Sequence, residues 1–268
     1  MQSPPTMPTL NSQITPLHQC NYLPDRASRL EFIELTEPNS LPTAQFSQFT
    51  RQGFRRSGQH LYRPICHHCQ RCIATRLPVA DFQPNRTQRK LWQKLNNIDI
   101  ILTELSELNE QHFNLYARYI CERHSDGDMY PPSLASFQRF LQFSFTDTFV
   151  MEFWQADTLI MVAVCDRLDD GISAVYTFFE PSLPQLSLGT LGILAQIDYV
   201  KQHHLDYVYL GFWIPDSDKM QYKANFHPIE LLIDRQWHHF DDKVTAQQIS
   251  PYLQHAIKQH YGTRWQNG

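Results

Sequence analysis

At 268 residues, with 42% hydrophobic and 13% aromatic content, the chain is long enough to bury one large core or two modest ones. No apolar run approaches the roughly 18 residues needed to cross a bilayer, and Met1 to Thr15 has neither the basic nor the apolar region of a leader, so a cytoplasmic protein with no membrane partner is expected. The formal net charge of −4 is unevenly spread: Arg51 to Lys94 holds ten Lys/Arg against the single acid Asp81, or +9, and the remainder holds thirteen against twenty-six, or −13.

In that basic stretch Arg outnumbers Lys eight to two. Planar guanidinium forks suit phosphate, so a polyanionic partner is expected there, with an ordinary solvated basic face as the alternative. Pro42 to Gln52 reads as a helix with a proline at its start, Phe46 and Phe49 at helical spacing and Gly53 at its end. It delivers Phe54-Arg55-Arg56-Ser57-Gly58. Next comes Tyr62-Arg63-Pro64-Ile65-Cys66-His67-His68-Cys69-Gln70-Arg71-Cys72, in which three cysteines recur at two-residue intervals. Thiolates so spaced can converge on one soft metal ion or iron-sulfur cluster, which fits reduced ligand-type thiols better than a disulfide framework in a chain this large. Redox-active or unfilled thiols are the alternative. His67 and His68 are alternative ligands, although two adjacent side chains rarely reach one tetrahedral ion. Cys121 and Cys165 read as small core residues.

Ile73 to Phe82 alternates like a strand, and Thr87 to Leu95 like a basic helix, closing an N-terminal Cys-rich basic domain over 1–105. Ser106, Asn109 and Glu110 can cap a helix reaching about His124, and after a turn-rich loop Leu134 to Phe145 forms a second amphipathic helix. These make a helical connection over 106–146, packed on a C-terminal domain over 147–268. There Phe149 to Trp154, Leu159 to Cys165 and Ile172 to Glu180 are apolar runs parted by short polar turns, an antiparallel meander. Ser187-Leu188-Gly189-Thr190-Leu191-Gly192 opens a helix to His204, followed by strands Tyr207 to Phe212 and Ile229 to Ile233. The expected fold class is α+β, and the element order is similar to that of GNAT acyltransferases: antiparallel meander, Gly-opened helix, further strands. Such enzymes hold the pyrophosphate of acyl-CoA on backbone N–H groups at a helix N-terminus, usually through Gln/Arg-x-x-Gly-x-Gly/Ala. Gly189 and Gly192 supply tight backbone here, but no Gln or Arg stands in register, which leaves an acyl-ester site or a plain strand-to-helix turn.

Several blocks in order resemble the aminoacyl-tRNA-protein transferase family, in particular its bacterial leucyl-type branch. They are Cys20-Asn21-Tyr22-Leu23-Pro24-Asp25-Arg26, Gly53 to Gly58, Tyr62 to Cys72 with Arg76 behind it, Ser173 to Phe179, Ser187 to Thr190, Tyr207 to Ile214 and Lys219 to Phe226. Pro215 to Asp218 departs from the family's usual Gly-Ser/Cys-x pattern before Lys-Met, so no role is carried to positions 216 or 217.

The resemblance implies transfer of leucine from Leu-tRNA to the α-amino group of proteins beginning with Asp or Glu, creating an N-degron for degradation. It also brings Cys20 to Cys66, Cys69 and Cys72 as a four-thiolate set for a structural zinc or an iron-sulfur cluster, while the aminolysis itself requires no cofactor. Acceptor carboxylate and tRNA phosphate demand cations, for which Arg76, Arg55, Arg56, Lys219 and Lys223 are candidates, with Arg76 first for the carboxylate and Arg86, Arg89, Lys90 and Lys94 for phosphates. Gly189 is expected at the aminoacyl ester. Tyr176 and Tyr222 can bring hydroxyls to the reacting carbonyl and Lys223 an amine, the alternative for Tyr176 being core packing. Rival readings are the same reaction with Arg-tRNA, an acetyl-CoA-dependent GNAT N-acetyltransferase, and a zinc-dependent nucleic-acid-binding protein.

Overall fold

A computed structural model describes residues 10–66 and 69–261. The N-terminal part contributes short strands β1 (Gln13–Ile14), β2 (His18–Gln19), β3 (Ala27–Ser28) and β4 (Leu30–Glu34), then helix α1 (Thr43–Arg51) and strands β5 (Arg55–Ser57) and β6 (His60–Pro64). Pro42 precedes α1 with φ −57°, preset for a helical start, and the chain leaves α1 through Gly53 at φ +87°, which only glycine adopts without strain. Strands β1, β4, β6 and β5 form an antiparallel sheet in that order. Phe54-Arg55-Arg56 thus lies on and just before a strand, where Arg55 pairs with Tyr62 and Arg56 with Leu61.

The main sheet has eight strands in the order β14 (Gln236–Phe240), β13 (Ile229–Ile233), β7 (Ile73–Pro78), β12 (Tyr207–Trp213), β11 (Gly171–Phe179), β10 (Thr158–Arg167), β9 (Thr148–Gln155) and β8 (Asp99–Glu104). The antiparallel meander expected from three apolar runs is β9-β10-β11. One placement differs from the sequence reading. Ile73 to Pro78, read as closing an N-terminal domain, is an interior strand of the main sheet, hydrogen-bonded to β12 on one side and β13 on the other. Its pattern explains why: Ile73, Ala74, Thr75 and Leu77 are all buried, as a strand covered on both faces requires.

Helices cover the sheet. Helix α2 (Arg86–Lys94) starts at Asn85 with a reciprocal capping box to Gln88, and α5 (Leu188–Gln202) is buried along most of its length; together they cover one face. On the other face α3 (Glu110–Arg123), capped by Asn109, presents Leu115, Tyr116, Tyr119 and Ile120 to the meander. The second connecting helix ends early: α4 (Leu134–Phe137) passes into a π-helical turn at Gln138–Gln142, which re-aims Phe140 and Leu141 into the same cluster. The N-terminal sheet covers the rest of that face, with Phe46, Phe54 and Leu61 packed on Phe145, Leu168 and Tyr209. Helix α6 (Ala246–Tyr261) follows β14. No helix among the described residues is long and apolar enough to cross a membrane.

Candidate active site

Strands β11 and β12 pair in parallel only from Gly171 to Ser173 against Tyr207 to Tyr209. Where that pairing stops, Arg55 from β5 enters the gap and bridges both strands, Nη1 donating to the Tyr209 carbonyl at 3.4 Å and Nη2 to the Ala174 carbonyl. The close approach requires Gly211, at φ +81°, where a Cβ would stand 3.2 Å from Nη2 of Arg55. Burial pulls the Arg55 pKa down, while the nearby phenol of Tyr62 and carboxylate of Asp166 oppose it.

Polar side chains gather about this gap. Lys223 is buried, donates from Nζ to the Phe212 carbonyl at 2.6 Å, and is pushed down to about 7, chiefly by burial, with Arg55 adding to the effect and Cys72 opposing it. Tyr62 lies edge-on to Phe212 with centroids 6.1 Å apart, and burial drives the phenols of Tyr62 and Tyr22 upward. Tyr176 stands among Tyr116, Tyr119 and Phe140, and its buried hydroxyl has no hydrogen-bond partner among the described residues. The same is true of Ser173 Oγ and Trp213 Nε1 on the two strands that border the gap. Buried polar groups are nearly always satisfied, so these three hydrogen-bonding atoms are open to an ordered water or a bound group. Tyr119, pushed up to about 12 by burial, is hydrogen-bonded to His124 Nε2 at 3.0 Å. Tyr222 is 41% exposed, and Lys219 nearby in sequence makes an exposed ion pair with Asp126 at 2.8 Å.

Cys20, Cys66, Cys69 and Cys72 line one cavity of about 380 Å³, which also touches Tyr22, Tyr62 and Phe212. The Cys72 thiol is pushed up to about 12, first by burial and then by Cys66, Cys20 and Cys69. The donor set is chemically suited to zinc or an iron-sulfur cluster. As positioned, however, no three Cys, His, Asp or Glu among the described residues stand close enough to hold one metal ion. His67 and His68 lie outside the described residues.

The arginines of the basic stretch are mostly committed within the fold. Arg76, expected to receive an acceptor carboxylate, already carries one: its Nε donates to Glu230 at 2.6 Å and Nη1 to the Tyr209 hydroxyl at 3.0 Å, with the guanidinium over the rings of Tyr207 and Trp237. Arg56 is fully buried against Asp166. Gly189 sits in the first turn of α5 after Ser187 at φ +51°, and a Cβ there would meet only Phe179 at 3.6 Å, so the helix start tolerates a side chain. Sequence reasoning assigned no role to Tyr22, Tyr62, Tyr119, His124 or Asp166. Tyr22 and Tyr62 lie inside the family-like blocks and were findable there; Asp166, within an apolar strand, gives no local signal.

The chain matches the family described as arginine-tRNA-protein transferase, its N-terminal part over residues 18–90 and its C-terminal part over 111–233. An aspartate/glutamate leucyltransferase of Acinetobacter baumannii (strain ATCC 17978) is 43% identical over 258 residues, covering 96% of this chain and 94% of that protein. One of Marinobacter nauticus is 45% identical, covering 83% and 93%. The crystal structure of FemX aligns with a TM-score of 0.42 at 8% identity, over 72% of this chain and 77% of that one.

Proposed function

This chain belongs to the arginine-tRNA-protein transferase family, and we propose that within it the protein moves leucine from Leu-tRNA to the N-terminal α-amino group of proteins beginning with Asp or Glu. It is an aminoacyltransferase. The observation that carries the choice of leucine over arginine is the 43% identity, over almost the whole of both chains, to a relative named for leucine transfer to aspartate and glutamate. The product bears a primary N-degron, and the reaction belongs in the cytoplasm, where charged tRNA is found. A GNAT-like reading of the main sheet is supported by the meander β9-β10-β11, helix α5 and the short parallel pairing of β12 with β11.

Aminolysis of an ester is downhill. The protein has to desolvate and align an uncharged amine, stabilise the tetrahedral oxyanion and return a proton to the ribose oxygen. We assign this work to the gap between β11 and β12. Tyr176 is assigned to donate to the oxyanion, a role supported by its buried hydroxyl having no hydrogen-bond partner among the described residues. Lys223, with a pKa of about 7, is half in its neutral form near neutral pH and suits proton management, with Tyr222 beside it in sequence. Arg55 holds the two strands apart and supplies positive potential. Because Arg76 is already neutralised by Glu230, the acceptor carboxylate is assigned to Lys219, which can exchange Asp126 for it at little cost, since ion pairs between solvent-exposed side chains are weak. The cavity lined by four cysteines is the proposed place of a structural zinc or iron-sulfur cluster; no step of the aminolysis passes through it.

The test is transfer of labelled leucine, with labelled arginine in parallel, from charged tRNA to peptides differing only in an N-terminal Asp, Glu or Ala. Leucine on Asp and Glu peptides alone is expected. Arginine incorporation would replace the donor, and acetylation from acetyl-CoA without tRNA would replace the class.

A further inference from the structure

We infer that the exposed face of α2 is the docking surface for the acceptor stem of the tRNA, an inference that rests on the tRNA-dependent reading above and adds the place where the nucleic acid binds. Of the ten cations between Arg51 and Lys94, six are spent inside the molecule. Arg51 is paired with Asp169 and Asp170, Arg56 with Asp166, Arg63 with Glu31, Arg71 with Asp216 and Arg76 with Glu230, while Arg55 is buried on backbone carbonyls. The four that remain, Arg86, Arg89, Lys90 and Lys94, all belong to α2; Arg89 Nη1 donates to the Pro84 carbonyl at 2.7 Å at the helix start, but none of the four has its charge paired with a carboxylate of a described residue.

At 100° per residue Arg86, Arg89 and Lys90 project from the side of the helix opposite Gln88 and Leu91, which are buried, and the half-buried Lys94 lies at the edge of that side. No acid occurs between Asp81 and Asp99 to offset them. The inner face is fully used, with Leu91 in the core and Trp92 and Leu95 packed against it, so α2 has no free apolar stripe to insert into a lipid surface. What is left outside is cationic and polar, the chemistry that recognises a phosphate backbone without reading bases. A nine-residue helix is about 14 Å long, enough to face roughly two or three successive phosphates of one strand.

The tethers of α2 point the bound nucleic acid at the reacting groups. Lys94 Nζ donates to the Gln185 carbonyl at 2.6 Å, in the turn Pro184–Leu186 that leads into the Gly189 end of α5. Gln88 Nε2 donates to the Asn225 carbonyl at 3.1 Å, at the end of the turn Gln221–Asn225 that carries Tyr222 and Lys223. A stem held along α2 therefore delivers its single-stranded 3′ end to the two elements that border the proposed site.

The experiment compares the wild-type protein with Arg86→Glu/Lys90→Glu, substitutions on exposed positions of which the first, in the opening turn, suits the helix dipole and keeps the fold. Binding of deacylated leucine tRNA is read by fluorescence anisotropy across a potassium chloride series, and transfer kinetics are run with Leu-tRNA and an Asp-initiated peptide. The expected result is an affinity loss of about tenfold to a hundredfold, a salt slope reduced by about two, and a matching rise in KM for Leu-tRNA with the peptide KM unchanged. Unchanged tRNA affinity and slope overturn the docking surface, as does loss of binding to phosphatidylserine vesicles with tRNA binding intact. Since binding is read on deacylated tRNA, a wild-type protein that binds through α2 but transfers no leucine would uphold the surface and sink the leucyl-transfer reading, and the converse result would do the opposite.

Discussion

Removing Asp166 should unfold the protein far more readily than removing almost any surface charge. Its carboxylate and the Arg56 guanidinium have fully buried side chains, and Arg56 Nε lies 3.0 and 2.9 Å from the two carboxylate oxygens. Arg56 Nη1 also donates to the Phe143 carbonyl at 2.9 Å, and the Thr148 hydroxyl donates to Asp166 at 2.6 Å. The cluster fastens β5 of the small sheet to β10 of the large one. Asp166→Ala leaves an uncompensated buried guanidinium, which costs about 3–5 kcal/mol out of a total stability on the order of 5–15 kcal/mol. Arg56→Met/Asp166→Leu removes both charges and fills the volume, so it should restore most of that loss or exceed wild type. Urea unfolding followed by tryptophan fluorescence gives the three stabilities. If the single variant loses less than about 1 kcal/mol, or the double variant is as unstable as the single, the reading of this pair as a desolvated charge couple is wrong. The double variant also decides what Arg56 is for. A phosphate contact would raise KM for the tRNA substrate and lower the salt slope, whereas a purely internal arginine leaves both where they were.

Gly211→Ala should cost about 1–2 kcal/mol in backbone strain and displace Arg55, whose guanidinium would meet the new Cβ at 3.2–3.3 Å; a fall in both Tm and kcat/KM is expected, and an unchanged kcat/KM would dissociate Arg55 from the site. Burial, assisted by Lys219 and Arg123 against Asp126, holds the His124 imidazole below its ordinary value of 6.5. The unfolded chain therefore takes up a proton there before the folded one does, so stability is full above about pH 6.5 and falls as the pH drops below it. Unfolding curves from about pH 7.5 to 5.5 should show that decline in the wild type and a flatter profile in His124→Asn; parallel profiles would assign the acid sensitivity to other groups.

Local pattern carried much of this fold. The Asn109 cap, the apolar runs of the meander and the Gly-opened start of α5 each act over a few residues, and their elements lie where the local pattern puts them. The cysteine spacing and the family-like blocks likewise pointed to one thiol-lined place and one kind of reaction before any fold was known. What failed to show were the edge strands β8 and β14 and the short strands of the small sheet. In β8 the apolar run Ile100-Ile101-Leu102 lies in a strand whose positions 99–102 and 104 are exposed and whose position 103 is half-buried, so the run has no apolar–polar alternation of a half-buried strand to mark it, and its pairing depends on a neighbouring strand.

The amino-acid sequence by itself determined most of the helices, the strands of the meander, the cysteine cluster and the basic segment, because these depend on neighbours along the chain. Only the tertiary structure decided which cations are free. Arg56 meets Asp166 across 110 residues and Arg76 meets Glu230 across 154, and in both cases the partner is chosen by strand order in the sheets. A guanidinium in solution looks the same whether it will bind phosphate or be buried against a carboxylate; sheet pairing makes that choice, and it leaves the free positive charge of this segment on α2.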